Sequence, residues 1–144
     1  ESIEDFVNDN LSSIANSIKI HEIEHGFNAA LYNENFPKAN NEIMALSRQM
    51  FDSDNEFFTL SLLYSVKDNI NEYHQEIVNT IFPGMMEYVN EHKSEFKGIN
   101  SENDFYKFSK KQIKTLGKHV YRKQVELADK KYPSDYNWLA SKNF

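Results

Sequence analysis

The chain has 144 residues, a formal net charge of −6 and no cysteine. The absence of cysteine excludes disulfides, thiolate metal sites, iron–sulfur clusters and cysteine nucleophiles. Four glycines and three prolines are too few for the many tight turns of an all-β domain, and a chain of this length builds a hydrophobic core without a disulfide or a metal. The composition therefore predicts one all-α domain that spans residues 1–144.

The first predicted helix begins at Ser2, whose hydroxyl is placed to cap it. Its apolar residues repeat at alternating spacings of three and four, and they define the face that we expect to be buried: Val7, Leu11, Ile14 and Ile18. Gly26 is a candidate break in this helix. Pro37 is tolerated only in the first turn of a helix, so a second helix is expected over about 38–51.

The third predicted helix follows a cap at Asp52-Ser53-Asp54 and ends at Pro83-Gly84. Its inner face has the most regular apolar spacing in the chain: Leu63, Val66, Ile70, Tyr73 and Ile77. A shorter fourth helix is expected to carry Met85, Val89 and Phe96 and to stop at Gly98.

The last long helix is expected to open at Ser101 and to end before Pro133. Its predicted inner face consists of Phe105, Ile113, Leu116, Val120 and Leu127. A short terminal helix or turn should fold back on the bundle through Tyr136, Trp138, Leu139 and Phe144. The prediction is an all-α, single-domain bundle of five main helices plus a short C-terminal helix or turn.

One motif could carry metal chemistry, the string His21-Glu22-Ile23-Glu24-His25. Two imidazoles four residues apart share one helix face and can hold one metal ion, and Glu22 could then polarise a bound water as a catalytic base. The pattern is typical of zinc peptidases, although Glu24 stands where those enzymes often have glycine. The alternative is a pair of surface or hydrogen-bonded core histidines.

A zinc site needs a third protein ligand. We expect His92, one helical step beyond Val89, to be that ligand, with Glu42 or Glu56 as alternatives that no local pattern distinguishes. A carboxylate-bridged di-iron site would need a second E-x-x-H motif, which the sequence lacks.

Charge is unevenly distributed along the chain. Residues 1–60 carry −8, residues 61–103 carry −4 and residues 104–144 carry +6. Five cations share one face of the last predicted helix, opposite its apolar face: Lys107, Lys111, Lys114, Lys118 and Arg122. This basic stripe is expected to bind a partner. The alternatives are a solvated helix face and a face that packs against the acidic N-terminal half of the chain itself.

These patterns favour a non-enzymatic binding module that needs no cofactor and contacts a protein partner, as adaptors, inhibitors and immunity-type proteins do. Overall acidity and the missing helix-turn-helix and RNA-binding motifs argue against nucleic acid. No apolar run is long enough to span a bilayer, so we expect a soluble protein, either cytoplasmic or a mature form after processing. The alternative is a protein that binds zinc or another divalent metal, or a zinc-dependent hydrolase, centred on His21, Glu22 and His25.

Overall fold

The computed structural model describes residues 2–32, 36–68 and 71–132. All regular structure in this part of the chain is helical, which confirms the predicted all-α bundle. The five α-helices are α1 (Ile3–Tyr32), α2 (Lys38–Asp52), α3 (Glu56–Val66), α4 (Glu72–Glu91) and α5 (Lys110–Lys131), and a 3₁₀ helix (Glu102–Lys107) precedes α5. None of the described helices is long and apolar enough to cross a lipid bilayer.

Helix α2 is the centre of the bundle, because α1, α3, α4 and α5 all pack against it. A helix contacted on several sides is buried around most of its circumference, and α2 buries residues of every face between Ile43 and Ser47. The main core joins α2 to α3, α4, the 3₁₀ helix and α5 through Leu46, Met50, Leu63, Ile81, Phe82, Phe105 and Leu116.

Helices α2 and α5 cross closely at Gly117 of α5. A Cβ atom at this position would lie 2.6 Å from Cβ of Met50 and 2.9 Å from the carbonyl oxygen of Ser47. Both distances are shorter than van der Waals contact, so only glycine lets the backbones of α2 and α5 approach this closely.

The predicted third helix is two helices. Helix α3 ends at Val66, and α4 begins after Asn71, whose side chain caps it by accepting a hydrogen bond from the Tyr73 N–H. The apolar spacing continues across the break, so Leu63 and Ile77 are both buried although they belong to different helices. Ile70 lies outside the described residues.

Pro83 was expected to end a helix, and it lies inside α4. Proline removes the hydrogen bond to the carbonyl four residues earlier. Both Pro83 and Asn79 are exposed, so water can replace the missing partner and the helix continues. Phe96 is buried in turns after α4 rather than in a helix, and Gly98 adopts a left-handed φ of 82° there.

The predicted last helix is also divided. Ser101 forms a capping box with Asp104 that starts the 3₁₀ helix, and Ser109 forms a second box with Gln112 that starts α5. The prediction that Leu127 belongs to the inner face was wrong, because 51% of its surface is exposed. Pro133 and the four apolar residues of the expected terminal turn (Tyr136, Trp138, Leu139 and Phe144) lie outside the described residues.

Helix α1 is rotated from the predicted orientation by roughly a quarter turn. Of the predicted buried face, Ile14 is half-buried, and the side chain of Val7 lies outside the described ones. It runs through Gly26 without a break. Leu11 and Ile18 were expected to be buried, and they are 59% and 48% exposed. The apolar spacing identified a helix correctly, but the polar residues of α1 face the bundle.

Candidate metal centre between α1 and α2

The face of α1 that packs against α2 is polar. Ser17, Glu24 and Asn28 are fully buried, and His21 and His25 are half-buried on the same side. These positions are three or four residues apart, so they form one stripe along the helix. Burying polar groups is costly unless they find partners, and this stripe meets polar side chains of α2.

Two imidazoles and one carboxylate converge in the middle of this interface. Nε2 of His21 lies 2.9 Å from Nε2 of His25. Glu42, on α2, places Oε1 3.3 Å from Nε2 of His21 and Oε2 3.3 Å from Nε2 of His25. Three groups with lone pairs thus face one another at close range.

No arrangement of protons satisfies all three contacts. A neutral imidazole carries one N–H, on either nitrogen. If both rings carry it on Nε2, each donates to Glu42, but two donors then meet at 2.9 Å. If only His21 carries its proton on Nε2, Nε2 of His25 accepts a hydrogen bond from His21. Nε2 of His25 then faces the Glu42 carboxylate with no proton between two acceptors. A cation at the centre accepts lone pairs from all three groups.

The spacing of the three groups suits a zinc-type ion. With metal–ligand distances of ~2.0–2.1 Å, two ligand atoms of a tetrahedral site lie about 3.4 Å apart. Each nitrogen–oxygen distance of 3.3 Å matches this value, although one is to Oε1 and the other to Oε2 of Glu42, and the nitrogen–nitrogen distance of 2.9 Å is somewhat shorter. Binding an ion therefore requires the two rings to separate by about 0.5 Å.

Glu42 is held in the form that ligates a metal. Burial raises the pKa of its carboxyl group, but the hydrogen bonds to His21 and His25 outweigh burial and lower that pKa to about 2. The same hydrogen bond to Glu42 raises the pKa of His25, against the opposing effect of burial. Burial and the nearby Glu42 carboxylate raise the pKa of Tyr73, on α4. A metal ion binds the ionised carboxylate.

Glu22 lies on the solvent side of the cluster. Its side chain is exposed, and one of its carboxylate oxygens lies within 4.8 Å of a ring nitrogen of both His21 and His25. It is placed to be a fourth ligand, or to accept a proton from a metal-bound water.

The outer sphere of the cluster is incomplete. Histidines that bind metal usually donate their second N–H to an acceptor, and losing such a partner costs about 10–100-fold in affinity. Nδ1 of both His21 and His25 is buried and has no hydrogen-bond partner among the described residues. The cluster is therefore expected to bind an ion more weakly than a fully supported zinc site.

A buried ionic network fixes α1 beside the cluster. The Glu24 carboxylate accepts a hydrogen bond from Arg48 Nη1 at 2.7 Å and from the Tyr121 hydroxyl at 2.8 Å. One helical turn further along α1, Asn28 donates to Asn41 at 2.9 Å. These contacts set the rotation of α1, so they determine that His21 and His25 face Glu42.

His92, the expected third ligand, lies elsewhere. It follows the last turn of α4, where its ring stacks on Tyr88 with centroids 3.9 Å apart and its Nδ1 contacts the Tyr88 carbonyl. Glu56 forms an ion pair with Lys114 instead of joining the histidines. Of the three residues considered from the sequence, Glu42 is the one that contacts both imidazoles.

The basic stripe is divided between elements and partly neutralised. Lys107 belongs to the 3₁₀ helix, where it pairs with Asp104 and with the Gly98 carbonyl. Lys114 pairs with the buried carboxylate of Glu56 at 3.0 Å. Three further cations, Lys111, Lys118 and Arg122, lie on α5. The alternative in which the stripe packs against the acidic N-terminal half of the chain applies to Lys114, because its partner Glu56 lies there, whereas Asp104 is a local neighbour of Lys107.

Comparisons with known proteins identify no relative. The sequence matches no family model, and neither the curated proteins nor the solved structures contain a significant match.

Proposed function

We propose that this protein binds a divalent transition-metal ion of the zinc class between α1 and α2. The ligands are Nε2 of His21, Nε2 of His25 and the carboxylate of Glu42, with Glu22 on the solvent side of the ion. An ion held in this way joins the outermost helix to the central one.

One observation carries the proposal. Three lone-pair donors from two helices face one point within 3.3 Å of one another, and protons cannot satisfy all three contacts. The donor set of two imidazoles and a carboxylate is one that zinc, iron and other first-row transition ions accept. Calcium and magnesium prefer sites built from oxygen alone, so they are not the ions proposed.

The test is direct binding of zinc to protein that carries no histidine tag. After treatment with EDTA and buffer exchange, calorimetric titration with zinc chloride should give one ion per chain, and the same titration with magnesium chloride should give none. Zinc should also raise the melting temperature, because a ligand that binds only the folded state stabilises it by mass action.

Three variants test the ligands and one serves as the control. His21→Ala, His25→Ala and Glu42→Ala should each weaken zinc binding by more than about 100-fold, since even outer-sphere changes cost 10–100-fold. His92→Ala removes a histidine far along the chain and should leave binding unchanged. A wild-type chain that binds no zinc, or a His92→Ala variant as defective as His21→Ala, would overturn the proposal.

The metal proposal is preferred to a partner-binding role for the basic stripe. Lys107 and Lys114 make ion pairs within the chain, and a paired cation has less charge to offer a partner. The cluster, by contrast, gathers three groups whose mutual contacts protons alone leave incompletely satisfied.

A further inference from the structure

The outward face of α1 is apolar along most of its length. Between residues 8 and 30 this face consists of Asn8, Asp9, Leu11, Ser12, Ala15, Ile18, Lys19, Glu22, Ile23, Gly26, Phe27, Ala29 and Ala30, all of them exposed. Eight of the thirteen are apolar or glycine. The four large ones, Leu11, Ile18, Ile23 and Phe27, are between 43% and 59% exposed.

This polarity is the reverse of that expected for an outer helix. A helix on the surface of a bundle normally buries its apolar stripe and exposes its charges. Helix α1 buries Ser17, Glu24 and Asn28 and exposes Leu11 and Ile18. Leaving a contiguous apolar face in water is unfavourable, and such faces mark interaction sites.

We infer that this face of α1 packs against α1 of a second copy of the chain, in antiparallel orientation, to form a symmetric dimer. The inference goes beyond metal binding, because it concerns exposed residues of α1 other than the ligands His21 and His25, and Glu22 alone is shared with the cluster.

The charges of the face fit this arrangement. A two-fold axis between positions 20 and 21 places Lys19 level with Glu22 of the second copy, and symmetry repeats the pair. A parallel pair would instead place Lys19 against Lys19 and Glu22 against Glu22. Opposite charges across an interface fix its orientation and register, so the antiparallel arrangement is favoured.

The apolar and small residues fit the same axis. Ile18 is level with Ile23 of the second copy, Leu11 with Ala30, and Ala15 with Gly26. Side chains as small as those of Ala15 and Gly26 allow close approach of the two helices between the larger flanking residues. Phe27 lies at the edge of the face, where the Arg48 guanidinium also lies 5.6 Å from its ring centroid.

The available area is sufficient for a stable dimer. A helix of 30 residues is about 45 Å long. The surface that covers half of the helix circumference along most of that length has an area of about 600–800 Å². This area approaches the ~800 Å² per partner of standard interfaces. A membrane surface fits less well, because helices that lie on membranes have basic residues beside the apolar face, and Lys19 is the one basic residue of α1.

The experiment measures mass by light scattering after gel filtration of the full chain in EDTA, over about 1–200 μM. EDTA excludes the metal site as a cause of association. We expect a mass twice the 16.9 kDa of one chain. Ile18→Glu should make the chain monomeric without changing its helical circular-dichroism signal, because Ile18 does not contribute to the core. Leu127→Glu, the same kind of change on exposed α5, should leave the dimer intact.

A charge exchange tests the antiparallel register. Lys19→Glu and Glu22→Lys should each weaken dimerisation by about 10-fold, because each places like charges opposite one another at two places. The double variant restores opposite charges and should return to within about 3-fold of wild type. A monomer at 200 μM, equal effects of Ile18→Glu and Leu127→Glu, or no recovery in the double variant would each overturn the inference.

Discussion

The hydroxyl of Tyr121 donates a hydrogen bond to the buried carboxylate of Glu24 at 2.8 Å, and this bond joins α5 to α1 across 97 residues of chain. Burial raises the pKa of the Tyr121 hydroxyl far above its usual value, and the neighbouring Glu24 charge raises it further. Tyr121 therefore keeps its proton and acts as the donor in this bond. With Arg48, it compensates a carboxylate that has no exposed surface.

Tyr121→Phe should consequently destabilise the fold. The change keeps the ring and leaves Glu24 with one donor fewer, and an unsatisfied buried acceptor costs about 1–3 kcal/mol. Urea unfolding followed by circular dichroism measures the difference. Tyr106→Phe is the matched control, because Tyr106 is 73% exposed and its change should stay within about 0.5 kcal/mol. Equal effects of the two variants would mean that the Tyr121 bond contributes nothing.

Gly117→Ala should destabilise the protein although alanine favours helices. The new Cβ atom would lie 2.6 Å from Cβ of Met50, and overpacking of this kind costs about 1–3 kcal/mol, which exceeds the ~1 kcal/mol gained in helix propensity. Gly26→Ala, measured at a protein concentration at which the chain is monomeric, is the control, since a Cβ at Gly26 meets no atom of its own chain within 4 Å. Unfolding in urea should show opposite signs for the two substitutions. A stabilising Gly117→Ala would contradict the close crossing of α2 and α5.

Two adjacent leucines of α3 should respond differently to truncation. Leu63 is fully buried in the main core, and Leu62 is 41% exposed. Leu63→Ala should cost about 2–5 kcal/mol, the range of buried leucine deletions, while Leu62→Ala should cost less than about 1 kcal/mol. Thermal or urea unfolding of both variants tests which face of α3 meets the core. A larger loss of stability for Leu62→Ala than for Leu63→Ala would show that α3 presents its other face to the core.

The stability of the protein should fall in mild acid because of His119. Burial lowers the pKa of this imidazole below its ordinary 6.5, and Lys123 and His92 lower it further, while Glu87 and Glu91 oppose them. Its Nε2 is buried and makes no hydrogen bond with the described residues. The unfolded chain therefore binds a proton at a higher pH than the folded chain. This contribution to stability is complete above about pH 6.5 and is lost as the pH falls below it.

Replacing the titrating ring should reduce that dependence. The free energy of unfolding of His119→Gln, measured in urea at pH 8, 6 and 5, should fall less steeply between pH 8 and 5 than that of wild type. An identical pH dependence of the two proteins would show that other groups cause the acid sensitivity.

The sequence predicted the helices better than their ends. Three- and four-residue spacing identified Leu63 and Ile77 as core residues, because that spacing reports which side of a helix is apolar. The same spacing could not show the break between α3 and α4, since the stripe resumes in phase after Asn71. It also misplaced the end at Pro83, because a proline whose missing hydrogen bond faces solvent is compatible with a continuing helix.

For α1 the same reasoning failed in a specific way. The apolar residues Leu11 and Ile18 share a face, and that face points to solvent. What decides the rotation of α1 is the set of partners offered by α2 and α5, above all Arg48 and Tyr121 for Glu24. Periodicity within one helix carries no information about such partners.

By itself, the sequence determined the helical fold class and the pair His21 and His25, since both follow from spacing along a single helix. Only the tertiary structure decided the third member of the cluster. Glu42 is 17 residues from His25 and is placed by the packing of α1 on α2, whereas His92 is carried away to the end of α4. Local spacing fixes which side chains share a face of one helix, but which faces meet depends on burial and polar pairing summed over the whole bundle.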